Sequence, residues 1–123
     1  MASEKGRVNE LAEACITIQL VRGQSIECVI DTGFSGGLML PRSFVEQIPH
    51  TEIGKESYVL AGGGELKAEI VGVEIHWLNT VKALAVVVSE ASDSLIGTGL
   101  LEKAILVIDY LTAQVEIKDD QEN

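Results

Sequence analysis

The sequence has few of the residues that build disulfide scaffolds, metal sites and aromatic-rich cores. It contains two cysteines, two histidines, two prolines and 4% aromatic residues. Two cysteines are too few for a disulfide framework, and strand pairing about the turn at 22–24 would not place Cys15 opposite Cys28. His50 and His76 lie far apart and share no ligand spacing with the cysteines. We therefore expect buried, reduced thiols, no metal site and no cofactor.

Basic residues are also scarce. Nine Lys and Arg stand against 19 Asp and Glu, which gives a net charge of −10 at pH 7. Nucleic acids and anionic membranes attract cationic surfaces, so neither is expected as a partner. No apolar run approaches the ~20 residues of a membrane span, and residues 1–10 are polar and charged, unlike a signal peptide. The sequence therefore predicts a soluble, cytoplasmic protein.

β-Branched residues are abundant, with thirteen Val and twelve Ile, and these residues favour strands. Hydrophobic residues make up 46% of the 123 residues, enough for the core of one domain. The pattern predicts an all-β barrel or sandwich over 1–123, with flexible ends at 1–10 and 118–123. Short apolar or alternating runs predict strands at 15–21, 26–31, 37–40, 57–60, 65–77, 83–88, 94–96, 105–109 and 114–117.

Proline and glycine positions predict the local irregularities. Pro41 fits the first position of a helical turn over 42–47, which Pro49 ends. A second helical turn is predicted over 100–104. Gly72 lies inside the longest predicted strand, where glycine favours a bulge or bend.

The most informative segment is 28–41 (CVIDTGFSGGLMLP), in which an apolar strand leads Asp31 directly into a Thr-Gly turn. Asp, Thr and Gly are ordinary turn residues, so the triplet alone indicates only a turn. Later in the chain, Leu-Ile-Gly at 95–97 precedes a predicted helical turn and a closing hairpin over 105–117. Between them, the segment 58–65 (YVLAGGGE) has a glycine-rich centre.

Together these segments resemble the retropepsin-like aspartic proteases, the single-domain relatives of pepsin, and in particular their small bacterial and archaeal branch. In that family an apolar-apolar-Asp-Thr-Gly strand is followed, late in the chain, by two apolar residues and a glycine before a short helix. The resemblance covers residues 15–117. It implies the retropepsin-like acid protease fold: a closed β-barrel or sandwich with a flap hairpin and one or two short helices.

The resemblance also implies a reaction. Aspartic proteolysis uses two carboxylates that share one proton, one acting as base and the other as acid. This chain has a single Asp-Thr-Gly, so the resemblance implies a homodimer in which each copy contributes Asp31 to activate a water. We thus expect an aspartic endopeptidase acting on a peptide or protein substrate. Relatives build the dimer interface from terminal strands, which here would lie near 15–20 and 114–118.

Supporting roles follow from the same resemblance. Thr32 and Gly33 support the active-site loop: Thr32 bonds across the dimer axis, and Gly33 admits the substrate backbone. Ile96 and Gly97 form a structural psi-loop. From the residues alone, the three glycines of the flap are equally consistent with a mobile tip and with a plain tight turn. The residues assigned to substrate binding and the flap are Phe34, Ser35, Leu60, Ala61, Gly62, Gly63 and Gly64.

Two residues depart from the family pattern. Phe34 stands where Ala or Ser is usual. It lacks the Ser hydroxyl that would favour charged carboxylates, which predicts a less acidic pH optimum than in Ser-bearing relatives, and its bulk is expected to crowd the substrate groove. Gly99 stands where relatives often have Asp or Asn, so any hydrogen bond made by such a side chain is missing here. Phe34 keeps an alternative open, a non-catalytic dimeric peptide-binding or assembly module with the same fold.

Overall fold

The structure is a computed structural model that describes residues 2–59 and 62–119. Strands dominate the described residues, and the helices have four residues each. No helix in these two segments has the length and apolar character needed to cross a membrane. The elements are β1 (Ser3–Val8), β2 (Ala14–Leu20), β3 (Ser25–Ile30), β4 (Leu38–Pro41), α1 (Arg42–Val45), β5 (Thr51–Val59), β6 (Glu65–Trp77), β7 (Thr80–Ser89), β8 (Leu95–Ile96), α2 (Thr98–Leu101), β9 (Ala104–Asp109) and β10 (Gln114–Asp119).

All the described strands belong to one sheet, in the order β5-β6-β7-β4-β8-β3-β2-β1-β10-β9. Most neighbours are antiparallel, whereas β3–β8 and β4–β7 run parallel. A further short pairing joins β2 to β6, so the sheet curls back on itself. The predicted all-β class is confirmed. A closed barrel is not confirmed, since β5 and β9 stand at the two ends of the strand order.

Alternation of apolar and polar residues fixes which face of each strand is buried. In β2, Ile16, Ile18 and Leu20 point into the core while the residues between them are exposed. In β6, Val71, Val73, Ile75 and Trp77 form the matching buried face. Burial of each such side chain contributes about 1.5–3 kcal/mol. The main core therefore lies between facing parts of the curled sheet.

Residues 3–8 and 118–119 belong to the sheet, although the sequence predicted flexible ends at 1–10 and 118–123. β1 pairs with both β10 and β2. Its approach to β2 needs Gly6, because a Cβ there would lie 1.8 Å from the carbonyl oxygen of Cys15. At the other end, Lys118 and Asp119 pair with Ile105 and Ala104. Residues 120–123 lie outside the described part of the chain. β1 was not predicted because its sequence, SEKGRV, is largely polar and the strand is only half-buried.

The helical turns differ from their predicted positions. α1 begins at Arg42, and Pro41 is its N-cap in extended conformation rather than its first helical residue. α2 occupies Thr98–Leu101, earlier than the predicted 100–104. The helix cannot extend further because Lys103 has a φ of +62° and the next residue begins β9.

An irregularity was predicted at Gly72 in β6, and the structure has it in β5, the strand that pairs with this part of β6. The register of β5 shifts between Glu52 and Gly54, while Gly72 itself pairs regularly with Thr51 and Ala85. Glycine is needed here for a close approach: a Cβ on Gly72 would lie 2.7 Å from Thr51 Oγ1. The bulge in β5 and the absent side chain in β6 therefore occur together.

Both cysteines are buried and free, as predicted. In the register of β2 and β3, Cys15 pairs with Val29 and Ile16 pairs with Cys28. Because cross-strand partners share a face and neighbours along a strand alternate, the two thiols point to opposite faces. Burial raises the pKa of Cys28 to about 12 and also raises the pKa of Cys15.

We expect the Cys28 thiol to be nearly inert in the folded protein. A pKa of about 12, against the usual 9.0, lowers the thiolate fraction near pH 8 by about three orders of magnitude. The measurement is the reaction rate of a Cys15→Ser variant with an aromatic disulfide reagent, with and without urea. Reaction of the folded variant at the rate of the unfolded one would contradict this burial.

Candidate active site

Asp31 lies immediately after β3, where the parallel pairing with β8 ends. Its backbone N–H donates to the carbonyl of Ile96 at 2.8 Å, which extends the ladder by one residue. Its Oδ1 accepts a hydrogen bond from the N–H of Gly33 at 2.9 Å, and its carbonyl accepts one from Phe34 at 3.1 Å. The half-buried carboxylate is therefore held at a tight turn by its own loop.

The segment after β8 packs directly against the loop that follows Asp31. The N–H of Gly97 donates to the carbonyl of Gly37 at 2.9 Å, and the N–H of Gly99 donates to that of Gly36 at 3.0 Å. The backbone N–H of Thr98 donates to the carbonyl of Phe34 at 2.8 Å, and its hydroxyl donates to the same oxygen at 3.3 Å. These bonds fasten the Asp31 loop to the beginning of α2.

This close packing depends on the absence of side chains. A Cβ on Gly97 would lie 2.1 Å from the carbonyl oxygen of Gly36 and 2.5 Å from that of Phe34. A Cβ on Gly99 would lie 3.0 Å from the carbonyl carbon of Gly36. Ile96 itself is fully buried in the core. Ile96 and Gly97 thus hold the loop in place. Gly99 has no polar side chain, and the hydroxyl of the neighbouring Thr98 instead donates a hydrogen bond to the loop, at the carbonyl of Phe34.

Sequence reasoning missed the contribution of Thr98, Gly36 and Gly37. The signal was present as a Gly-Gly pair shortly after Asp31 and a Gly-x-Gly after β8, the composition that a close backbone contact requires. The remaining loop residues Thr32, Gly33 and Ser35 are exposed. The predicted active-site loop is therefore brought together around Asp31, with a solvent-facing side.

Phe34 is half-buried against the loop rather than extended into solvent. A Cβ on Gly36 would lie 2.5 Å from its Cζ, and a Cβ on Gly97 would lie 2.6 Å from its Cδ2. The side chain packs against a small apolar cluster that is separate from the main core. We call this group the Phe34 cluster; its members are Phe34, Met39, Ala68, Ile70 and Val87.

The predicted flap corresponds to the hairpin of β5 and β6, whose described pairing ends at Val59 and Glu65. Gly62 and Gly63 have φ values of +102° and +91°, a region that favours glycine. Leu60 and Ala61 lie outside the described residues. The backbone conformation therefore accounts for glycine at positions 62 and 63, which directly precede Gly64.

An ion-pair network at the base of this hairpin was not predicted. Arg42, at the beginning of α1, contacts Glu69 of β6 through Nη2 at 3.1 Å. Its Nε also donates to Glu90 Oε1 at 2.8 Å. The hydrogen bond from Arg42 lowers the pKa of Glu90. Glu90 is largely exposed while Arg42 and Glu69 are half-buried, so solvent screens the pair of Arg42 with Glu90 more than the pair with Glu69. The network connects the hairpin to α1 and to the end of β7.

Comparison with known proteins agrees with this architecture. No protein-family model and no curated protein matches the chain. Among solved structures, a retropepsin-like aspartic protease from Rickettsia conorii is similar with a TM-score of 0.67. The similarity covers 94% of this chain and 89% of that one, at 19% sequence identity. The chain therefore has a retropepsin-like fold, and the predicted resemblance is confirmed at the level of the fold.

We expect Gly97→Ala to destabilise the protein by about 3 kcal/mol, the upper end of the usual cost of overpacking. The added Cβ would collide with two backbone oxygens that no side-chain rotation can move. Thermal or urea unfolding measures this change. Ser35→Ala, at an exposed position of the same loop, is the matched control and should change stability by less than about 0.5 kcal/mol. Equal stability of the two variants would refute the close contact.

Proposed function

We propose that the chain is an aspartic endopeptidase that works as a homodimer, with Asp31 of each copy as the catalytic residue. The observation that carries this proposal is the placement of Asp31 in a retropepsin-like fold. Its backbone is bonded to Ile96 and its carboxylate is oriented by the N–H of Gly33. An aspartate in an ordinary turn needs no second segment bonded to its loop, so the bonds from residues 96–99 favour a functional role for Asp31.

The reaction is hydrolysis of a peptide bond by an activated water. One carboxylate of the dyad removes a proton from the water, which attacks the carbonyl carbon of the substrate. The other carboxylate, which carries the shared proton, donates it to the carbonyl oxygen, and the leaving nitrogen then takes up a proton. No covalent bond to the enzyme forms. In this chain the Gly33 N–H fixes the orientation of the Asp31 carboxylate. Thr32 and Gly33 are exposed and, in this proposal, contact the second copy and the substrate.

The strand order restricts where two copies can pair through their sheets. Of the two segments first expected at the interface, 114–118 in β10 is paired along its length with both β1 and β9 and cannot extend the sheet. The segment 15–20 in β2 pairs with β3 on one side, and on the other side its ends pair with β1 and β6. Among the described strands, β5 and β9 are at the ends of the order. β5 belongs to the hairpin that corresponds to the predicted flap, which is expected to cover the substrate. We therefore place the contact between copies at β9.

The composition of β9 supports this placement. Its sequence, AILVID, contains no lysine or proline, which often protect an edge strand, and its one charged residue, Asp109, stands at the end. Ile105 and Val107 are 43% and 44% exposed. Lys103 precedes the strand and Asp109 ends it, so antiparallel pairing of two copies brings opposite charges together at both ends. β9 also follows α2 directly, the segment that fastens the Asp31 loop.

The remaining sequence-based expectations stay predictions. A peptide or protein substrate follows from the proposed reaction, as does a pH optimum less acidic than in relatives with Ser at the position of Phe34. Cytoplasmic localisation, and the expected lack of nucleic-acid, membrane and metal partners, are further predictions from composition. The alternative function, a dimeric peptide-binding or assembly module, differs from the protease only in lacking cleavage.

We expect Asp31→Asn to abolish peptide cleavage while the fold and the dimer persist, because the amide cannot take up the water proton. The assay is cleavage of a mixed peptide library between pH 3 and pH 8 by the wild type and the variant at equal concentrations. Asp93→Asn, a carboxylate without a following Thr/Ser-Gly, is the matched control and should remain active. Persistent cleavage by Asp31→Asn would exclude the proposed dyad. A folded wild type that binds but never cleaves peptides would favour the alternative.

We expect Val107→Lys to weaken the dimer and to lower activity per subunit on dilution, because two edge strands would then bring lysines together. Ile53→Lys on β5, where Ile53 is 60% exposed, is the matched control and should leave the dimer intact. Sedimentation velocity across a concentration series gives the dissociation constants. A wild-type dimer that Val107→Lys does not weaken would move the interface elsewhere, while an active monomer would exclude the shared site itself.

A further inference from the structure

We propose that Phe34 occupies, from within the chain, an apolar side-chain site beside Asp31. As a result, the enzyme selects substrates with a small residue, Gly, Ala or Ser, at the position that passes over this ring. This inference rests on the proposed endopeptidase function and names its substrate class. The experiment below separates its failure from the failure of that function.

The position of the ring is the first support. Phe34 lies three residues after Asp31 and its N–H donates to the Asp31 carbonyl at 3.1 Å. Its ring is backed by Gly36 and Gly97, where an added Cβ would lie 2.5 Å and 2.6 Å from ring atoms. With backbone on that side, the ring has no room to retreat from an approaching side chain.

The surroundings of the ring are the second support. The other members of the Phe34 cluster are apolar and come from three strands: Met39 from β4, Ala68 and Ile70 from β6, and Val87 from β7. Ala68, Ile70 and Val87 are buried, whereas Phe34 and Met39 are partly exposed. Without the aromatic ring, these residues would leave an apolar hollow that is open on one side.

The location of this cluster determines what would fill the hollow. It lies between the Asp31 loop and β6, which is one strand of the hairpin proposed to flank the substrate. An extended peptide bound beside Asp31 directs alternate side chains towards this surface. Phe34 already fills the space, so a bulky substrate side chain at that position meets the ring while a small one passes over it.

The size of the effect follows from general specificity energetics. Hydrophobic pockets discriminate between side chains of different size by about 10–200-fold in kcat/KM. We expect the wild type to prefer small residues at one position by about that factor. We expect Phe34→Ala to reverse the preference in favour of Leu, Met or Phe, because the vacated space is apolar.

The test compares cleavage preferences of the wild type, Phe34→Ala and Phe34→Leu on one peptide library. The matched control is Phe44→Ala, since Phe44 is also partly buried but packs on the main core from α1. Phe34→Leu vacates less space and, should Phe34→Ala not fold, still reports a partial shift in preference. An unchanged preference in the folded Phe34 variants, or a wild type that accepts bulky residues at every position, overturns the proposal.

A second readout does not require activity. Toluene is titrated into the folded protein, and backbone amide NMR shifts are followed in the wild type and the three variants. We expect toluene to shift the amides of Gly36, Ile70 and Val87 in Phe34→Ala and to leave them unshifted in the wild type and in Phe44→Ala. Absence of these shifts in Phe34→Ala overturns the filled site. Toluene binding at the cluster with no cleavage by any variant supports the filled site and rejects the endopeptidase function.

Discussion

The contact on which the rest of the site depends is the backbone packing of residues 31–37 against residues 96–99. Backbone hydrogen bonds join the two segments, and the absence of side chains at Gly97 and Gly99 allows the segments to come close enough for these bonds to form. This contact anchors the backbone of Asp31 and, through Gly97, backs one side of the Phe34 ring. It also explains why a two-residue strand such as β8 is retained between β3 and β4, since β8 positions the second segment.

The sheet surrounding this contact determines which surfaces are left for partners. β1 lies between β10 and β2 and approaches β2 closely at Gly6, so most of the described strands have a paired strand on both sides. Among the described strands, β9 pairs only with β10, and it has two exposed apolar side chains, Ile105 and Val107. An edge of this kind is a liability for a monomer, and pairing with a second copy removes it. The homodimer proposed above would also cover this edge.

The sequence allowed prediction of those features that have strong local signals. Alternation of Val and Ile located the core strands, and the two segments around Asp31 and Ile96 identified the fold. The prediction missed β1 because a half-buried strand with charged residues has no apolar pattern. The ion pairs of Arg42 with Glu69 and Glu90 were missed for another reason: they join residues distant in sequence, and nothing local marks them.

The order of synthesis matters for a chain with this topology. The Asp31 loop occurs in the first third of the sequence, yet it is bonded to residues 96–99, and β1 pairs with β10 near the last residues. Residues 96–99 are synthesised long after residues 31–37, so the loop lacks these hydrogen-bonding partners until they leave the ribosome. Such a chain completes the Asp31 loop late, and a product truncated before residue 96 would carry Asp31 in a loop without these hydrogen bonds. Long-range pairings of this kind also make folding slow relative to that of helical domains.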